Sequence, residues 1–285
     1  MFPTIKTLLD SATARLDATS DSARLDAELL LAQALGSSRS RLRARPEQAV
    51  EPDMQREFEH LLMARLQGTP LAYLAGQQEF WSLPFKLTRD TLIPRPDTEL
   101  LVQTALECIP ADVAWKIADL GTGSGAIAIA IASERLLCRI TATDVSRSAL
   151  DVARENAANL GLGNLEFRCG DWFTALSGAH YNLIVSNPPY VRESDPHLDE
   201  GDVRFEPRRA LVSGPDGLDA IRHIIRQAPS YLLPDGWLLL EHGYDQAEAV
   251  RALFIARHFS GVRSMRDLSG HDRVTLGQKT NSDVD

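Results

Sequence analysis

Along the first quarter of the chain, apolar residues recur every three or four positions. Leu8, Leu9, Ala12 and Leu16 form one stripe and Leu25, Leu29 and Ala32 a second, the spacing of one helix face. Residues 1–75 therefore read as a small helical domain. Ser20 and Asp21 are expected to open its second helix, Gly36 to close it, and Pro52 to start a later helix running to Leu66. Over 76–93 the period changes: Phe80-Trp81, Phe85 and Leu87 alternate around Ser82-Leu83-Pro84, which predicts a β-hairpin linker. From Trp115 onward, apolar runs at 115–120, 138–143, 164–169, 181–186 and 236–241 alternate with helical stretches at 125–135, 146–160, 217–231 and 244–257. That order implies βαβ units and a doubly wound, mostly parallel sheet, an α/β domain spanning 94–279. Segments 260–268 and 272–278 are separated by only a turn, so an antiparallel pair is expected to close one sheet edge. Residues 280–285 read as a frayed, disordered tail.

Composition narrows the class of protein. Of 285 residues 44% are hydrophobic and 24% charged, which fits a folded globular chain and leaves no room for a low-complexity one. The net charge of -9 repels phosphate backbones, so nucleic acid is a disfavoured direct substrate. Three cysteines, without C-x-x-C spacing, indicate neither a disulfide framework nor a zinc cluster, and a cytoplasmic setting is expected. The N-terminal stretch lacks the apolar run of a signal peptide, and the longest such run, Ala126 to Ala132, is far short of the ~20 residues of a membrane span. No metal is expected, since the seven histidines show no paired ligand spacing. Glu241-His242-Gly243, at a strand end, reads as structural ahead of catalytic. Arg39, Arg41, Arg43 and Arg45 form a short basic run, either a solvated face or a docking surface for an acidic partner.

Chemistry concentrates in two places. Gly121-Thr122-Gly123-Ser124-Gly125 follows an apolar strand and precedes a helix, where a nucleotide-like ligand lies in such sheets. Asp144 ends the next strand, at the spacing that lets a carboxylate accept both ribose hydroxyls. Gly121-x-Gly123-x-x-Ala126 also satisfies the dinucleotide fingerprint, so these residues alone do not separate a nicotinamide cofactor from S-adenosylmethionine. Asp171 is placed to meet an adenine amino group; Trp172 either covers the adenine ring or packs in the core.

The second place is Asn187-Pro188-Pro189-Tyr190, at the end of a short apolar strand. Two successive prolines fix φ and remove two N–H donors, so this loop offers acceptors. A planar amino group is a poor nucleophile because its lone pair is conjugated. Binding one N–H to the Asn187 side-chain oxygen and the other to the Pro188 carbonyl would orient that nitrogen and stabilise positive charge as a methyl group arrives. Tyr190 would pack against the flat face of the acceptor.

Together with Tyr73-Leu74-Ala75-Gly76, Glu79-Phe80-Trp81, Ile93-Pro94-Arg95-Pro96-Asp97-Thr98-Glu99 and Phe205-Glu206-Pro207-Arg208, these motifs make the chain resemble the release-factor glutamine N5-methyltransferase family, HemK or PrmC. The resemblance implies a class I methyltransferase (Rossmann-like) fold with a seven-stranded sheet, S-adenosylmethionine as methyl donor, and a helical domain that helps recognise a protein acceptor. That acceptor would be the glutamine of the Gly-Gly-Gln motif of class 1 peptide chain release factors. Gly121 to Gly125, Asp144 and Asn187 would bind the cofactor, with Asp171 and Trp172 at its adenine, and Asn187 to Tyr190 would hold the glutamine amide. Arg95, Glu99 and Glu206 are equally explained as structural ion pairs. A monomer is the default expectation. The rival readings are a ribosomal-protein glutamine methyltransferase, a nucleic-acid amino-methyltransferase, a dehydrogenase and a non-catalytic relative.

Overall fold

The computed structural model describes residues 2–176 and 178–280. The described residues up to Gln77, with Asp199–Phe205, form one compact unit; Gln78–Leu198 and those from Glu206 onward form a second.

The first unit consists of α1 (Ile5–Leu16), α2 (Ala23–Ala34), α3 (Arg39–Ala44), α4 (Pro52–Leu66) and α5 (Leu71–Ala75). Leu9, Leu16, Leu30, Leu31, Phe58 and Leu62 close its core. Ser22, rather than Ser20 or Asp21, occupies the cap position of α2. The serine hydroxyls have a stronger call on them, because buried Asp26 accepts from Ser20 at 2.9 Å and from Ser22 at 2.7 Å. Arg65 completes that acid at 2.9 Å and reaches Asp202 at 3.0 Å, which fixes Asp199–Phe205 to this unit. Nothing local in the sequence marks that segment as leaving the sheet domain. The basic run is partly consumed inside the unit, since Arg39 and Arg43 both pair with buried Glu28, at 2.9 and 2.8 Å.

The second unit opens with a hairpin, β1 (Gln77–Phe80) and β2 (Leu83–Lys86), shorter than the predicted linker. Its turn is Trp81-Ser82, both at positive φ (53° and 57°), so Leu83 and Pro84 belong to a strand. Two positive φ values match the twist of a two-residue hairpin, at a steric cost for non-glycine residues. Next comes α6 (Thr98–Cys108), a helix unforeseen in the sequence although Leu101, Val102 and Ala105 carry its period and are buried.

The sheet then builds from β3 (Lys116–Leu120), β4 (Arg139–Asp144), β5 (Leu165–Cys169), β6 (Tyr181–Ser186), β7 (Leu232–Glu241), β8 (Phe259–Arg266) and β9 (Asp272–Lys279). The helices α7 (Ala126–Glu134), α8 (Arg147–Asn159), α9 (Asp219–Gln227) and α10 (Ala247–Ala256) connect them. The helix predicted to reach 231 stops at Gln227, because Pro229 has no N–H to donate and its ring clashes with the preceding turn. Strand order is β5-β4-β3-β6-β7-β9-β8. All pairs are parallel up to β7; β9, one place in from the edge, runs antiparallel to both neighbours. The order reverses between β3 and β6, the switch point where such sheets take their ligands. The glycine loop and Asn187 sit at the two carboxyl ends flanking it. Thr280 donates to the His258 carbonyl at 3.1 Å, and the rest of the expected tail lies outside the described residues.

Candidate active site

Gly121, Gly123 and Gly125 adopt φ of 72°, 57° and 86°, which only glycine takes without strain. At Gly125 a Cβ would stand 2.8 Å from Ile129 Cδ1 and 3.1 Å from Ala153 Cβ. The loop is strapped to β4, since Gly121 and Thr122 N–H both donate to the Thr143 carbonyl, at 2.9 and 2.8 Å. Asp144 accepts from Gly123 N–H at 2.9 Å and Ser146 N–H at 2.8 Å. Its carboxylate is thereby aimed, with lone pairs left for a further ligand.

Gly121, Gly123, Asp144, Asp171, Trp172 and Asn187 line one cavity at this edge. Trp172 packs against the core of the sheet domain, one of its two sequence readings, and its Cζ3 stands 3.4 Å from where a Gly121 Cβ would be, so the ring bounds the loop. Its φ of 47° is uncommon for so bulky a residue and turns the chain sharply after Asp171. Thr122 and Ser124 are buried and line an adjoining recess with Arg95, Thr98 and Asn187. The Thr122 hydroxyl turns inward and donates to Asp119 Oδ2 at 2.6 Å.

Asp119 was not singled out from the sequence as a site residue. It is fully buried and its Oδ1 has no partner among the described residues. Burial, with the Asp144 charge adding to it, pushes its carboxyl up to about 7 against the lowering effect of Thr122. A charge at the end of an otherwise apolar strand, Ile117-Ala118-Asp119-Leu120, was the available signal.

At the second strand end, the Asn187 amide donates through Nδ2 to Thr98 Oγ1 at 3.1 Å. The Tyr190 hydroxyl donates to Glu241 Oε1 at 3.3 Å, and burial raises the phenol pKa, with Glu241 adding to it. The Tyr190 carbonyl accepts from Gln246 at 3.0 Å and lies 2.2 Å from where a Gly217 Cβ would stand, so only glycine fits at 217. Leu92, Arg95, Asn187, Tyr190, Ala210 and Leu211 enclose a smaller cavity. Asn187 faces both cavities, and Pro189 lines the larger. Pro188 is buried between them in sequence.

The remaining acids have structural partners. Glu206 is buried, accepts from Ile93 N–H at 3.1 Å and pairs with Arg95. Glu99 accepts from Trp81 N–H at 2.8 Å and so holds the strained hairpin turn. His242 is spent on the Gly243 carbonyl at 2.9 Å and Thr275 Oγ1 at 2.8 Å, and burial lowers its pKa.

Two pockets meeting at Asn187, one walled by a glycine loop and a strand-end carboxylate and the other by apolar side chains, a tyrosine and Arg95, suit the transfer of a group from a nucleoside-bearing donor to a small planar acceptor. Residues 7–76 match the family model described as PrmC N-terminal domain, and 97–202 that of the methyltransferase small domain. The release factor glutamine methyltransferase of Pseudomonas aeruginosa is 54% identical, covering 91% of this chain and 94% of its own length. That of Vibrio cholerae is 49% identical over 98% of each. Among solved structures, a methyltransferase from Pyrococcus furiosus superimposes with a TM-score of 0.54 at 15% identity, covering 78% of this chain and 99% of that one, a likeness of fold. No helix among the described residues is long and apolar enough to cross a membrane. The chain belongs to the release factor glutamine methyltransferase family.

Proposed function

We propose that this protein transfers a methyl group from S-adenosylmethionine to the side-chain amide nitrogen of the glutamine in the Gly-Gly-Gln motif of class 1 peptide chain release factors. The observation that carries this reading is the Asn187 amide. Its Nδ2 is committed to Thr98, so Oδ1 is the atom left for the junction of the two cavities. An acceptor there selects a ligand that presents N–H, as a carboxamide does.

The larger cavity suits the donor. Asp144 would accept the ribose hydroxyls, Asp171 and Trp172 would border the adenine, and Gly121 to Gly125 would let the backbone approach. The unpartnered Oδ1 of Asp119 fits an ammonium group such as that of a methionine moiety. When bound, the donor supplies an electrophilic methyl group on a sulfonium. Asn187 Oδ1 and the Pro188 carbonyl would each accept one amide N–H, which aligns the nitrogen lone pair and favours its pyramidal form. As the new N–C bond forms and the C–S bond breaks, those same acceptors stabilise the positive charge on nitrogen, and one proton then leaves to solvent. Tyr190 and Leu92 would flank the amide and exclude water. The helical unit, residues 1–75, serves in this reading to recognise the protein acceptor.

The test is peptide mapping by mass spectrometry after incubating the chain with S-adenosylmethionine and a purified release factor, beside a ribosomal protein and an unmethylated DNA. One added methyl on the Gly-Gly-Gln glutamine is the expected result. Methylation of another acceptor alone would keep the chemistry and remove the substrate.

A further inference from the structure

Asn156 lies in the interior of α8 and is 1% exposed. On local grounds an asparagine is a poor choice there, because its amide competes with the helix backbone and its burial is unfavourable unless its polar atoms are paired. Here they all are. Oδ1 accepts from Lys86 N–H at 2.8 Å, and Nδ2 donates to the Lys86 carbonyl at 3.1 Å and to the Ser124 carbonyl at 2.9 Å.

Those partners belong to two segments, distant in the chain, that both wall the larger cavity. Lys86 ends β2, whose hairpin is a sheet of only two strands, and the Asn156 amide takes up the main-chain N–H and C=O of Lys86 as a neighbouring strand would. The chain then runs straight on to Asp90 and Leu92, which line that cavity; Leu92 lines the acceptor cavity as well. Ser124 belongs to the glycine loop, whose Gly121 and Gly123 line the larger cavity from their own segment. Asn156 itself lines neither cavity. We propose that Asn156 is a positioning residue of the donor site: one side chain fixes the glycine loop and the 88–92 segment relative to each other, and so presets the cavity before the donor arrives. The hairpin is thereby a support of the donor site as well as a connection. This deepens the proposed function and rests on its assignment of the larger cavity to S-adenosylmethionine.

Walls that are fixed beforehand need no ordering when the ligand binds, so their loss weakens binding. Both walls hold the nucleoside part of the donor, which is unchanged as the methyl group moves. Their effect is therefore the same in the ground state and in the transition state, and it falls on affinity rather than on turnover at saturation. The hairpin keeps other anchors, since Trp81 Nε1 donates to Glu134 at 3.0 Å and Lys86 Nζ pairs with Glu155 at 2.7 Å. Removing the Asn156 amide accordingly loosens the end of β2 without releasing the hairpin.

The experiment is calorimetry of S-adenosylmethionine binding to the full chain, with methylation of a release factor measured at saturating donor. Asn156→Ala is expected to raise the donor Kd and KM about tenfold, the scale of losing a partner that orients a binding group, while kcat stays within about twofold. Asn156→Asp keeps the shape and the acceptor for Lys86 N–H but sets a carboxylate against two carbonyls, and should weaken binding at least as much. Glu155→Gln breaks only the exposed pair with Lys86 and should keep the wild-type Kd. An asparagine that served stability alone would lower the thermal midpoint and leave Kd, measured well below that midpoint, at the wild-type value; that result would overturn the proposal. A second measurement needs no ligand. Hydrogen exchange in peptides covering 86–92 and 121–125 should be faster in Asn156→Ala for both segments, and faster exchange in one alone, or in neither, would remove the shared anchor. A wild-type chain that binds no S-adenosylmethionine would sink the donor assignment and this inference with it. Donor binding that weakens as expected, in a chain that methylates no release factor, would sink the substrate assignment and leave the role of Asn156 standing.

Discussion

The two units bury their acids in opposite ways. In the helical unit Asp26 and Glu28 are buried, yet Asp26 has Arg65 and two serine hydroxyls, and Glu28 has Arg39, Arg43 and, at 3.5 Å, Arg24. Burial tends to raise Glu28, but the arginines prevail and its pKa lies below the ordinary value. In the sheet unit Asp119 and Glu241 are equally buried, each with one oxygen unpartnered among the described residues, and both carboxyls are pushed up to about 7. Burial with full pairing holds helices together. Burial without it is kept towards the carboxyl ends of β3 and β7, where a free lone pair or a labile proton has a use.

The sharpest way to break this contrast is at the site itself. Asn187→Ala should leave the thermal midpoint and cofactor affinity close to wild type while methyl transfer falls about 10²- to 10³-fold, the scale of losing one preorganised polar contact to a transition state. Near-normal turnover would mean that the unpartnered acceptors at this edge serve no chemistry. In the helical unit the expected loss is of another kind. Arg65→Ala strands Asp26, and breaking a buried pair costs about 3–5 kcal/mol; the serine hydroxyls that remain on Asp26 favour the lower end. Urea unfolding would read this, and an unchanged midpoint would show that the pairing is idle.

Asp144→Ala comes next in size. It removes an acceptor held by two backbone amides, so cofactor binding should weaken by about 1.5–3 kcal/mol in calorimetry, as for a hydrogen bond to a charged group. An unchanged affinity would remove Asp144 from the cofactor site.

The raised acids also set a pH dependence of stability. Between their ordinary values and about 7, native Asp119 and Glu241 carry more protons than the unfolded chain does. The unfolding free energy contributed by each therefore falls as pH rises from about 4 towards 7, by at most about 1.4 kcal/mol per pH unit. Glu241→Gln should flatten the slope measured by urea unfolding at pH 5.5 and 7. An unaltered slope would mean that Glu241 is ionised throughout that range.

Much of this site was legible in the sequence because its two halves are local. The glycine loop and Asn187 to Tyr190 each lie within a few consecutive residues at the end of a strand, where composition and spacing carry the signal. The contacts behind them were not legible, because Thr98 meets Asn187, and Glu241 meets Tyr190, only when α6, β6 and β7 are assembled. The start of α6 was read as motif rather than as helix, so Thr98 had no address. The membership of Asp199–Phe205 was hidden for the same reason: it depends on Arg65, far away in the chain, choosing Asp202 as a partner. Arg95 and Glu206 were correctly allowed a structural role, whereas Glu99 proved to serve a backbone N–H of the hairpin turn instead of a cation.

The smallest expected effect decides what the basic run is for. Arg39→Ala removes one of three arginines from Glu28, and Arg43 remains at 2.8 Å and Arg24 at 3.5 Å. Arg39 is itself over a third exposed, so solvent screens the pair, and the loss of stability should stay under about 1 kcal/mol. With Glu28 still neutralised, the helical unit keeps its fold, and KM for a release factor should match wild type. A KM raised several-fold at unchanged stability would instead assign the run to docking an acidic surface, and the arginines of the helical unit would then be doing two jobs, one inside the unit and one facing the partner.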